Sequence, residues 1–410
     1  MRLAVFTNVF PARVSTFFAR DMRALLEAGV EVDIFPIYPL DPELWRYVPE
    51  ILDESAFPRK KVHHLSLGKC LVPRPLPLRS AGRFLKDSEA ILASAARFGL
   101  DSFAKSSYIL PKAWTWAKEY GGRYDHVLGY WGNYAATCAY LFHRLTAPEK
   151  PFSIWVHAGT DLYKGGAYLR EKLLYADNIV TCCDFNIGFL QSNYADIWQA
   201  ISGKVHVCAH GLDFAEFPFT PDGRERNKIL AVGRLSKWKG FDILLKAAGE
   251  LKSRKIEFEL EFIGDGEDAP ALKALASSLG IKRQVKFHGW QPFREVRRAM
   301  EKATLLVHPS SELGDGVPNV IKEAVALGTP VIASDVAGIA ELLDSGRCGF
   351  LVTPKDVHEL SEKIETLLAD ASLRREFAQA ARGRAEQRFD LWRNGRTLAE
   401  RLKSTTRIAH

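Results

Sequence analysis

The sequence predicts an α/β protein with two doubly wound parallel sheets, one after the other along the chain. Three observations support this fold class. The 410 residues exceed what one ordinary core accommodates, strand-like and helix-like runs alternate, and the alternation lapses once, at residues 213–227, before it restarts. Hydrophobic residues make up 47% of the chain and charged residues 26%, which is typical of a globular protein. No apolar run approaches the ~18 residues of a membrane span, and the opening MRLAVFTNVFPARVS has too short an apolar run for a signal peptide.

The first half of the chain predicts one parallel sheet covered by helices. RLAVFTNVF is a predicted strand, TFFARDMRALLEAG an amphipathic helix that ends in glycine, and VEVDIFPIY a second strand. Further short strands, each followed by a helical or loop segment, are HVLGYWG, PFSIWVHAG, NIVTCC and KVHVCAHG. This βα alternation is typical of parallel sheets.

A second sheet is predicted after the linker DFAEFPFTPDGRERN, in which proline, glycine and charge cluster. The predicted strands are KILAVG, FELEFIG, VKFHG, TLLVHPS, PVIAS and GFLVTP. The predicted helices are GFDILLKAAGELKSR, APALKALASSLG, PFREVRRAMEKA, PNVIKEAVALG, IAELLDSG and DVHELSEKIETLLAD. We therefore expect domains at 1–212 and 213–385 with a deep cleft between them, and ligands outside the carboxyl ends of the strands.

Charge and cysteine content narrow the function classes. The net charge is +7 and the pI about 9.0, and residues 59–90 hold eight Lys/Arg against two Asp/Glu. This segment is either a solvated, proline-broken loop or a patch for anionic lipid or a phosphorylated acceptor. Nucleic acid is disfavoured because no RNP, KH or zinc-finger signature and no interleaved aromatics occur. The six cysteines form no CxxC pair, so free thiols in a cytosolic protein are expected rather than a zinc site.

Two acids flank an apparent helix start in GDGVPNVIKEAVALGTPVIAS. Gly314 and Gly316 let the backbone approach a ligand closely, and Pro318 suits a first helical turn. Glu323 lies five residues beyond Pro318, roughly 7.5 Å along a helix axis, which is too far for a cap. The two acids either contact a ligand at this helix start, or have no binding role, with Asp315 a turn acid and Glu323 a solvated helix residue.

Three further stretches follow predicted strands. In VGRLSKWKGFD, Arg234 and Lys239 flank a turn after Gly233 and suit a diphosphate, although surface charge is the alternative. FIGDGEDAPAL carries GxG without the last glycine of a dinucleotide fingerprint, and LAVFTNVF lacks the fingerprint altogether, which disfavours an NAD enzyme. In WVHAGTDLY, His157 and Asp161 lie at a strand end, where a functional and a structural role are both open.

Together these motifs resemble the GT-B glycosyltransferases of the large retaining GT4-like family, also called glycosyltransferase group 1. The resemblance is most specific over residues 228–355, through ILAVGRLSKWKGFDILLKAA, LEFIGDGEDAPALKALASSLGI, VKFHGW and DGVPNVIKEAVALGTPVIASDVAGIAELLDSGRCGFLV. FPARVSTFFARDMRALLEAGVEVDIFP resembles the opening of members that make surface polysaccharides or glycolipids, and VHAGTD, ADNIVTCC and KVHVCAHGLDFAEF resemble further family elements. RAEQRFDLWRNGRTLAERL, within residues 386–410, resembles the helix that crosses back to the first domain.

The resemblance implies two Rossmann-like domains facing a cleft, the first acceptor-binding and the second donor-binding. Arg234 and Lys239 are expected to hold the diphosphate, Glu323 the ribose hydroxyls and Asp315 the sugar hydroxyls, with His157 beside the transferring sugar. Backbone of Phe287–Gly289 is expected to frame the base, and that of Val317–Val320 to cap the phosphates. The implied catalytic residues are His157, Arg234, Lys239, Asp315 and Glu323. The implied donor-binding residues are Gly233, Arg234, Lys239, Gly264, His288, Gly289, Asp315, Gly316, Val317, Pro318, Asn319, Val320 and Glu323. The acceptor-side candidates are Asn8, Arg13, Trp131, His157 and Asp161.

This chain departs from the family pattern twice. Asp315 stands where the family has Glu, one methylene shorter, and Glu312 is a spare acid at the wrong spacing. TNVFPARVSTFF replaces the family's Gly-Gly loop after the first strand, which leaves this side of the phosphate site to Arg13 or Asn8.

The predicted function is retaining transfer of a sugar, of hexosyl type, from a nucleoside-diphosphate sugar to a hydroxyl of a glycan or lipid-linked acceptor. No metal and no cofactor are expected, since fixed cations and a helix N-terminus can neutralise the departing diphosphate. Two acids on one segment argue against a retaining glycosidase, whose carboxylates flank the bond across ~5 Å. The alternatives are a nucleotide-sugar epimerase on the same fold and a non-catalytic nucleotide-sugar-binding protein. A cytoplasmic monomer without nucleic-acid partners is expected, free or at the inner face of the membrane through residues 59–90; UDP, GDP and ADP donors all stay open.

Overall fold

The computed structural model describes residues 1–12, 16–47, 59–70, 78–159 and 161–407. The chain divides into two compact units, one formed by residues 1–211 with 391–410 and the other by residues 212–390. The expected boundaries lay at 212/213 and 385/386, a few residues from these positions.

The first unit contains a six-stranded parallel sheet in the order β2-β1-β3-β4-β5-β6. Its strands are β1 (Arg2–Thr7), β2 (Glu31–Pro36), β3 (His126–Gly129), β4 (Phe152–Val156), β5 (Asn178–Thr181) and β6 (Val205–Val207). Its helices are α1 (Thr16–Glu27), α2 (Leu67–Cys70), α3 (Leu78–Ala96), α4 (Leu100–Tyr120), α5 (Tyr134–Thr146), α6 (Leu169–Tyr175), α7 (Asp184–Asn193), α8 (Ala195–Ile201) and α16 (Leu391–Ser404).

Strand β1 shows why this sheet is covered on both faces. Successive side chains of a strand point to opposite faces. Ala4 and Phe6 pack into the cluster that contains residues of α4 and α5, whereas Leu3 and Val5 pack into the cluster that contains residues of α1 and α16. All four side chains are buried, so the near-continuous apolar run of β1 is that of a central strand buried on both faces.

The second unit contains another six-stranded parallel sheet, in the order β12-β11-β10-β7-β8-β9. Its strands are β7 (Lys228–Val232), β8 (Glu259–Ile263), β9 (Val285–Phe287), β10 (Leu305–His308), β11 (Val331–Ser334) and β12 (Phe350–Val352). Its helices are α9 (Phe241–Ser253), α10 (Ala269–Ser278), α11 (Phe293–Lys302), α12 (Asn319–Ala326), α13 (Ile339–Leu342), α14 (Val357–Ala369) and α15 (Ala371–Arg388). The predicted class, α/β with two doubly wound parallel sheets, is confirmed.

The basic segment 59–90 differs from the loop interpretation. Residues 71–77 lie outside the described part of the chain, but residues 78–90 belong to α3, and Leu67–Cys70 form the short helix α2. The loop interpretation is therefore wrong for the second half of the segment. The charges on α3 are compatible with a helix because its apolar residues still repeat at helical spacing, and Phe84 packs edge-on against Trp114 of α4.

Candidate functional site

In the second unit, three glycines bring the strand-end loops into backbone contact. Gly233 follows β7, Gly264 follows β8 and Gly289 lies just beyond β9. A Cβ on Gly264 would lie 1.9 Å from the carbonyl oxygen of Gly233, and the Gly264 N–H donates to the carbonyl oxygen of Gly289 at 2.8 Å. At position 264 only glycine permits this approach, and the backbones of three expected donor-binding residues, Gly233, Gly264 and Gly289, are therefore in contact.

Lys239 and Asp315 are paired with each other. Lys239 ends a 3₁₀ turn after β7, and its Nζ donates to Oδ2 of Asp315. The same oxygen lies 3.4 Å from Nε2 of His308, the last residue of β10. Lys239 Nζ also lies 4.3 Å from the centroid of the Trp238 ring, within the range of a cation–π contact.

The charge states in this cluster follow from burial and proximity. Burial acts to raise the pKa of Asp315, but Lys239 and His308 outweigh it and hold that pKa well below its ordinary value. Burial lowers the pKa of His308, and repulsion from Lys239 lowers it further against the attraction of Asp315. At neutral pH Asp315 is therefore a carboxylate and His308 a neutral imidazole.

Backbone contacts fix the turn that carries Lys239. Gly240 has φ 67°, and a Cβ there would lie 2.0 Å from the carbonyl oxygen of Pro309. The Ser311 N–H donates to the carbonyl oxygen of Trp238 at 2.9 Å, and a Cβ on Gly314 would lie 2.4 Å from the Trp238 ring. The loops after β7 and β10 therefore hold Lys239 and Asp315 together.

Glu323 lies inside helix α12 and is only 6% exposed. This placement contradicts the alternative of a solvated helix residue. Pro318 precedes the helix with φ −63°, and the first N–H groups of a helix have no partner within it. Gly338 N–H donates to the Gly316 carbonyl oxygen at 3.0 Å, which anchors the segment Gly316–Val320 at the start of α12. Glu323 therefore lies on a buried face of α12, behind a helix start that a backbone hydrogen bond fixes.

Arg234 and His288 have other partners. The Arg234 side chain is 69% exposed, and its NH2 lies 3.1 Å from Oε2 of Glu267, in the loop after β8. His288 is partly exposed, and its Nε2 lies 3.5 Å from Oε2 of Glu261. The structure thus places Lys239 in the cluster with Asp315, whereas Arg234 pairs at the surface.

In the first unit, His157 and Asp161 are joined after β4. Nδ1 of His157 lies 3.3 Å from Oδ2 of Asp161, which also accepts from the Gly132 N–H at 2.8 Å. A carboxylate oxygen accepts, so Nδ1 of His157 carries a proton. Nε2 is buried and has no hydrogen-bond partner among the described residues.

A buried lysine that the sequence reasoning missed supports this pair. Lys172 of α6 is fully buried, and its Nζ donates to the carbonyl oxygens of Gly132 and Asn133 at 2.7 and 3.0 Å and to Thr137 Oγ1 at 2.8 Å. Burial lowers the pKa of Lys172 to about 7. The lysine fixes the Gly132 turn whose N–H reaches Asp161.

A second histidine was also missed. His210 follows β6, and its ring is parallel to that of His157, with centroids 5.0 Å apart and planes 7° apart. Its Nδ1 lies 2.6 Å from Oδ2 of Asp21 in α1, and Tyr130 Oη donates to the same oxygen. The only signal in the sequence is that CAHG ends a strand, as WVHAG does.

Of the remaining acceptor-side candidates, Asn8 and Trp131 lie near the end of β1. Trp131 Nε1 donates to Thr7 Oγ1 at 3.1 Å, and its ring centroid lies 4.5 Å from that of His157. Asn8 is half-buried, with its Oδ1 unpartnered among the described residues. Arg13 lies outside the described residues, and Trp131 is the candidate whose ring contacts His157.

Two six-stranded, doubly wound parallel sheets with glycine-rich and charged strand-end loops define the architecture of GT-B glycosyltransferases. Residues 215–384 match the family described as Glycosyl transferases group 1, so the chain carries a group 1 glycosyltransferase domain. This confirms the family resemblance.

Curated relatives and solved structures agree with this assignment. The amylovoran biosynthesis glycosyltransferase AmsK of Erwinia amylovora is 26% identical over 98% of this chain and 99% of its own length. The putative colanic acid biosynthesis glycosyltransferase WcaL of Escherichia coli is 26% identical over 54% of this chain and 58% of its own. Sucrose-phosphate synthase of Thermosynechococcus elongatus superposes with a TM-score of 0.75 at 17% identity over 98% of both chains. Anabaena HepE, solved with UDP and glucose, superposes with a TM-score of 0.69 at 19% identity, over 98% of this chain and 99% of its own. At these identities the structures establish the fold alone.

The described residues contain neither a membrane-spanning helix nor a metal-ligand cluster. No helix there has the length and apolarity needed to cross a membrane. In the same residues, no group of three or more His, Cys, Asp or Glu side chains is arranged to hold a metal ion.

Proposed function

We propose that this protein is a retaining glycosyltransferase that moves a hexosyl group from a nucleoside-diphosphate sugar to a hydroxyl acceptor without a metal ion. The observation that carries the proposal is the buried Lys239–Asp315–His308 cluster beside a helix start, within a group 1 glycosyltransferase domain. Such a site offers a cation and free N–H groups to a departing diphosphate.

The donor occupies the strand-end loops of the second unit. Lys239 and the N–H groups of Val317–Val320 bind the diphosphate, Glu323 binds the ribose hydroxyls, and the backbone of Phe287–Gly289 borders the base. Arg234 joins them by leaving Glu267, because an exposed ion pair is worth only ~0–1 kcal/mol and exchanges readily.

The transfer step keeps the anomeric configuration. The bond between the anomeric carbon and the diphosphate oxygen breaks, and the acceptor oxygen bonds to the same face of the sugar. The acceptor proton passes to the departing diphosphate oxygen, so no protein base is required. Asp315 contacts the sugar hydroxyls. In the first unit, His157 is the candidate for the acceptor side.

The acceptor is a glycan or lipid-linked glycan, as the polysaccharide pathways in the names of AmsK and WcaL suggest. A membrane-proximal acceptor also fits the basic segment, since five side chains of its described part are exposed cations: Arg59, Lys60, Lys69, Arg83 and Lys86. Of its two acids, Asp87 is buried and paired with Arg144 at 2.8 Å, so only Glu89 is exposed beside these five cations. We place the protein in the cytoplasm, as a monomer, at an anionic membrane surface.

Donor binding is tested first. Thermal shift with UDP-, GDP- and ADP-sugars identifies the base, because a bound donor stabilises the native state. Glu323→Gln should abolish the shift, and Glu312→Gln is the matched control, since Glu312 is exposed and lies in the loop between β10 and α12. Equal shifts in both variants would contradict the site.

Transfer is tested with the donor so identified. The expected result is product with the donor's anomeric configuration, seen by NMR, and unchanged turnover with EDTA. An inverted product would contradict retention, and loss of activity in EDTA would contradict metal independence. Epimerised or hydrolysed donor without transfer would favour the epimerase, and binding without chemistry would favour a non-catalytic protein.

Membrane association is tested by co-sedimentation with neutral and anionic vesicles. We expect binding to anionic vesicles that is lost when Lys60, Lys69 and Lys86 are changed to Glu. Equal, negligible binding to both vesicle types would remove the membrane proposal without affecting the transferase.

A further inference from the structure

We propose that His210 is a positioning residue for His157, and that the C-terminal helix α16 sets its place. The inference rests on the proposed role of His157 at the acceptor side. It concerns residues that lie far apart in sequence, on β4, after β6, on α1 and on α16.

The first argument is the aromatic stack around His157. The rings of Trp155 and His157 are 5.5 Å apart and 13° from parallel, and those of Trp155 and His210 are 4.9 Å apart and 20° from parallel. With the His157–His210 pair at 5.0 Å and 7°, three rings stand in near-parallel contact. Asp161 fixes one edge of His157, and the His210 face fixes the plane of the ring, so together they set where Nε2 points.

The second argument is that His210 is itself held by a buried acid. Asp21 is 6% exposed, and it accepts from His210 Nδ1 and from Tyr130 Oη. Burial raises the pKa of Tyr130 well above its ordinary value, and the nearby Asp21 raises it further, so the phenol keeps its proton and donates. His210 therefore has a fixed ring orientation rather than a free rotation about χ2.

The third argument is the position of α16 against both partners. A Cβ on Gly211, next to His210, would lie 2.3 Å from Cα of Leu391, the first residue of α16. Asn394 Nδ2 donates to the carbonyl oxygen of Ala209 at 3.0 Å, on the other side of His210.

Helix α16 also sets the place of Asp21. A Cβ on Gly395 would lie 2.4 Å from Cβ of Ala24, so α1 and α16 are in close contact one turn from Asp21. The same helix thus fixes the backbone on both sides of the His210–Asp21 contact.

The test separates positioning from folding. His210→Ala removes the stack and the Asp21 contact, His210→Phe keeps a stacked ring, and Asn394→Ala loosens only the support from α16. We expect kcat to fall about 10–100-fold in His210→Ala with donor KM little changed, and His210→Phe to recover most of the loss. Asn394→Ala should show a smaller loss of the same kind. If His210→Ala does not fold, the kcat values of His210→Phe and Asn394→Ala, each compared with that of the wild-type protein, test whether His210 positions His157.

A second readout does not depend on catalysis. The ring ¹⁵N shifts of His157 in the wild-type protein should show one tautomer, protonated at Nδ1, and should move toward tautomer exchange in His210→Ala. Unchanged shifts together with unchanged kcat would overturn the proposal. If no donor supports transfer, the proposed function fails, yet the ¹⁵N shifts still test whether His210 positions His157.

Discussion

The interaction between Lys239 and Asp315 can be measured with a double-mutant cycle, in which Lys239→Met, Asp315→Asn and the double variant are compared with the wild-type protein. The side chains are 10% and 26% exposed, and removing one partner of a buried pair costs about 3–5 kcal/mol. Asp315 keeps His308 at 3.4 Å and some solvent contact. We therefore expect about 2 kcal/mol of lost unfolding free energy for Lys239→Met, below the fully buried case.

The double variant should cost less than the sum of the single variants. Both charges are then absent, so neither is left buried without its partner. We expect a coupling free energy of about 1–2 kcal/mol, since the two groups are in direct contact. Urea unfolding at pH 7 measures it, with the denaturant slope checked for a constant value. Costs that add within about 0.5 kcal/mol would show that the pair has no net interaction.

The same variants separate a structural from a binding role. If Lys239 binds the diphosphate, the double variant regains stability but not affinity for the nucleoside diphosphate, measured by calorimetry. Recovery of affinity together with stability would refute the assignment of Lys239 to the donor. Lys237→Met, in the same 3₁₀ turn, is the control for removing a cation near the site.

Two further predictions concern the first unit. Gly395→Ala should lower the unfolding free energy by about 1–3 kcal/mol, because its new Cβ would lie 2.4 Å from Ala24 Cβ. Its control is Gly383→Ala in α15, where the new Cβ would meet no atom within 4 Å and the unfolding free energy should rise by about 0.5–1 kcal/mol. If urea unfolding shows a change of the same sign in both variants, the packing argument is contradicted. The pKa of Lys172 is 10.5 in the unfolded chain, and burial lowers it to about 7 in the folded protein. The unfolded state therefore binds more protons between these values, and stability should rise with pH, relative to Lys172→Met, by up to about 1.4 kcal/mol per unit. A pH-independent difference between the two proteins would contradict a buried, titrating lysine.

Much of the fold could be predicted because its strands are short apolar runs that end at glycine or charge. Buried parallel strands such as β1 and β10 need no long-range information to be recognised. Helix α3 was not predicted, since its charges and the prolines before it obscure the helical repeat of its apolar residues. Its stability comes from packing on α4, as in the Phe84–Trp114 contact, and local sequence does not reveal that contact.

The sequence predicted which residues lie at the candidate site, but not which of their side chains form ion pairs with each other. Strand-end motifs meet at one edge of a parallel sheet, so Lys239, Asp315 and Glu323 were expected in one region. Which acid pairs with which cation depends on side-chain directions that the sequence does not give. Arg234 pairs with Glu267 rather than with Asp315, although Arg234 and Lys239 come from one turn.

The missed residues share a physical reason. His210, His308 and Lys172 are single buried polar residues, and such residues are more often structural than functional. The partners of His210 and Lys172 are distant along the chain: the Asp21–His210 contact spans 189 positions and the Lys172–Gly132 contact spans 40. His308 lies only seven positions from Asp315, but the sequence does not show that the two side chains meet. Only the folded backbone shows that these buried groups are all held by specific acceptors.

Two roles for the aspartate at position 315 can be distinguished by experiment: orientation of Lys239 and contact with the sugar hydroxyls. Its carboxylate accepts from Lys239 and lies 3.4 Å from His308, so the short side chain is already occupied in orienting the lysine. If that is its main work, Asp315→Glu should change turnover by a similar factor for all sugars on one nucleotide, because the diphosphate contact is common to them. If Asp315 instead contacts sugar hydroxyls, the added methylene should change the ratio of kcat/KM between two such sugars by about tenfold, the effect of one hydrogen bond of ~1.4 kcal/mol. Competition between two sugars on the preferred nucleotide measures the ratio directly. A constant ratio would leave Asp315 acting through Lys239, and the sugar would then be recognised by other groups.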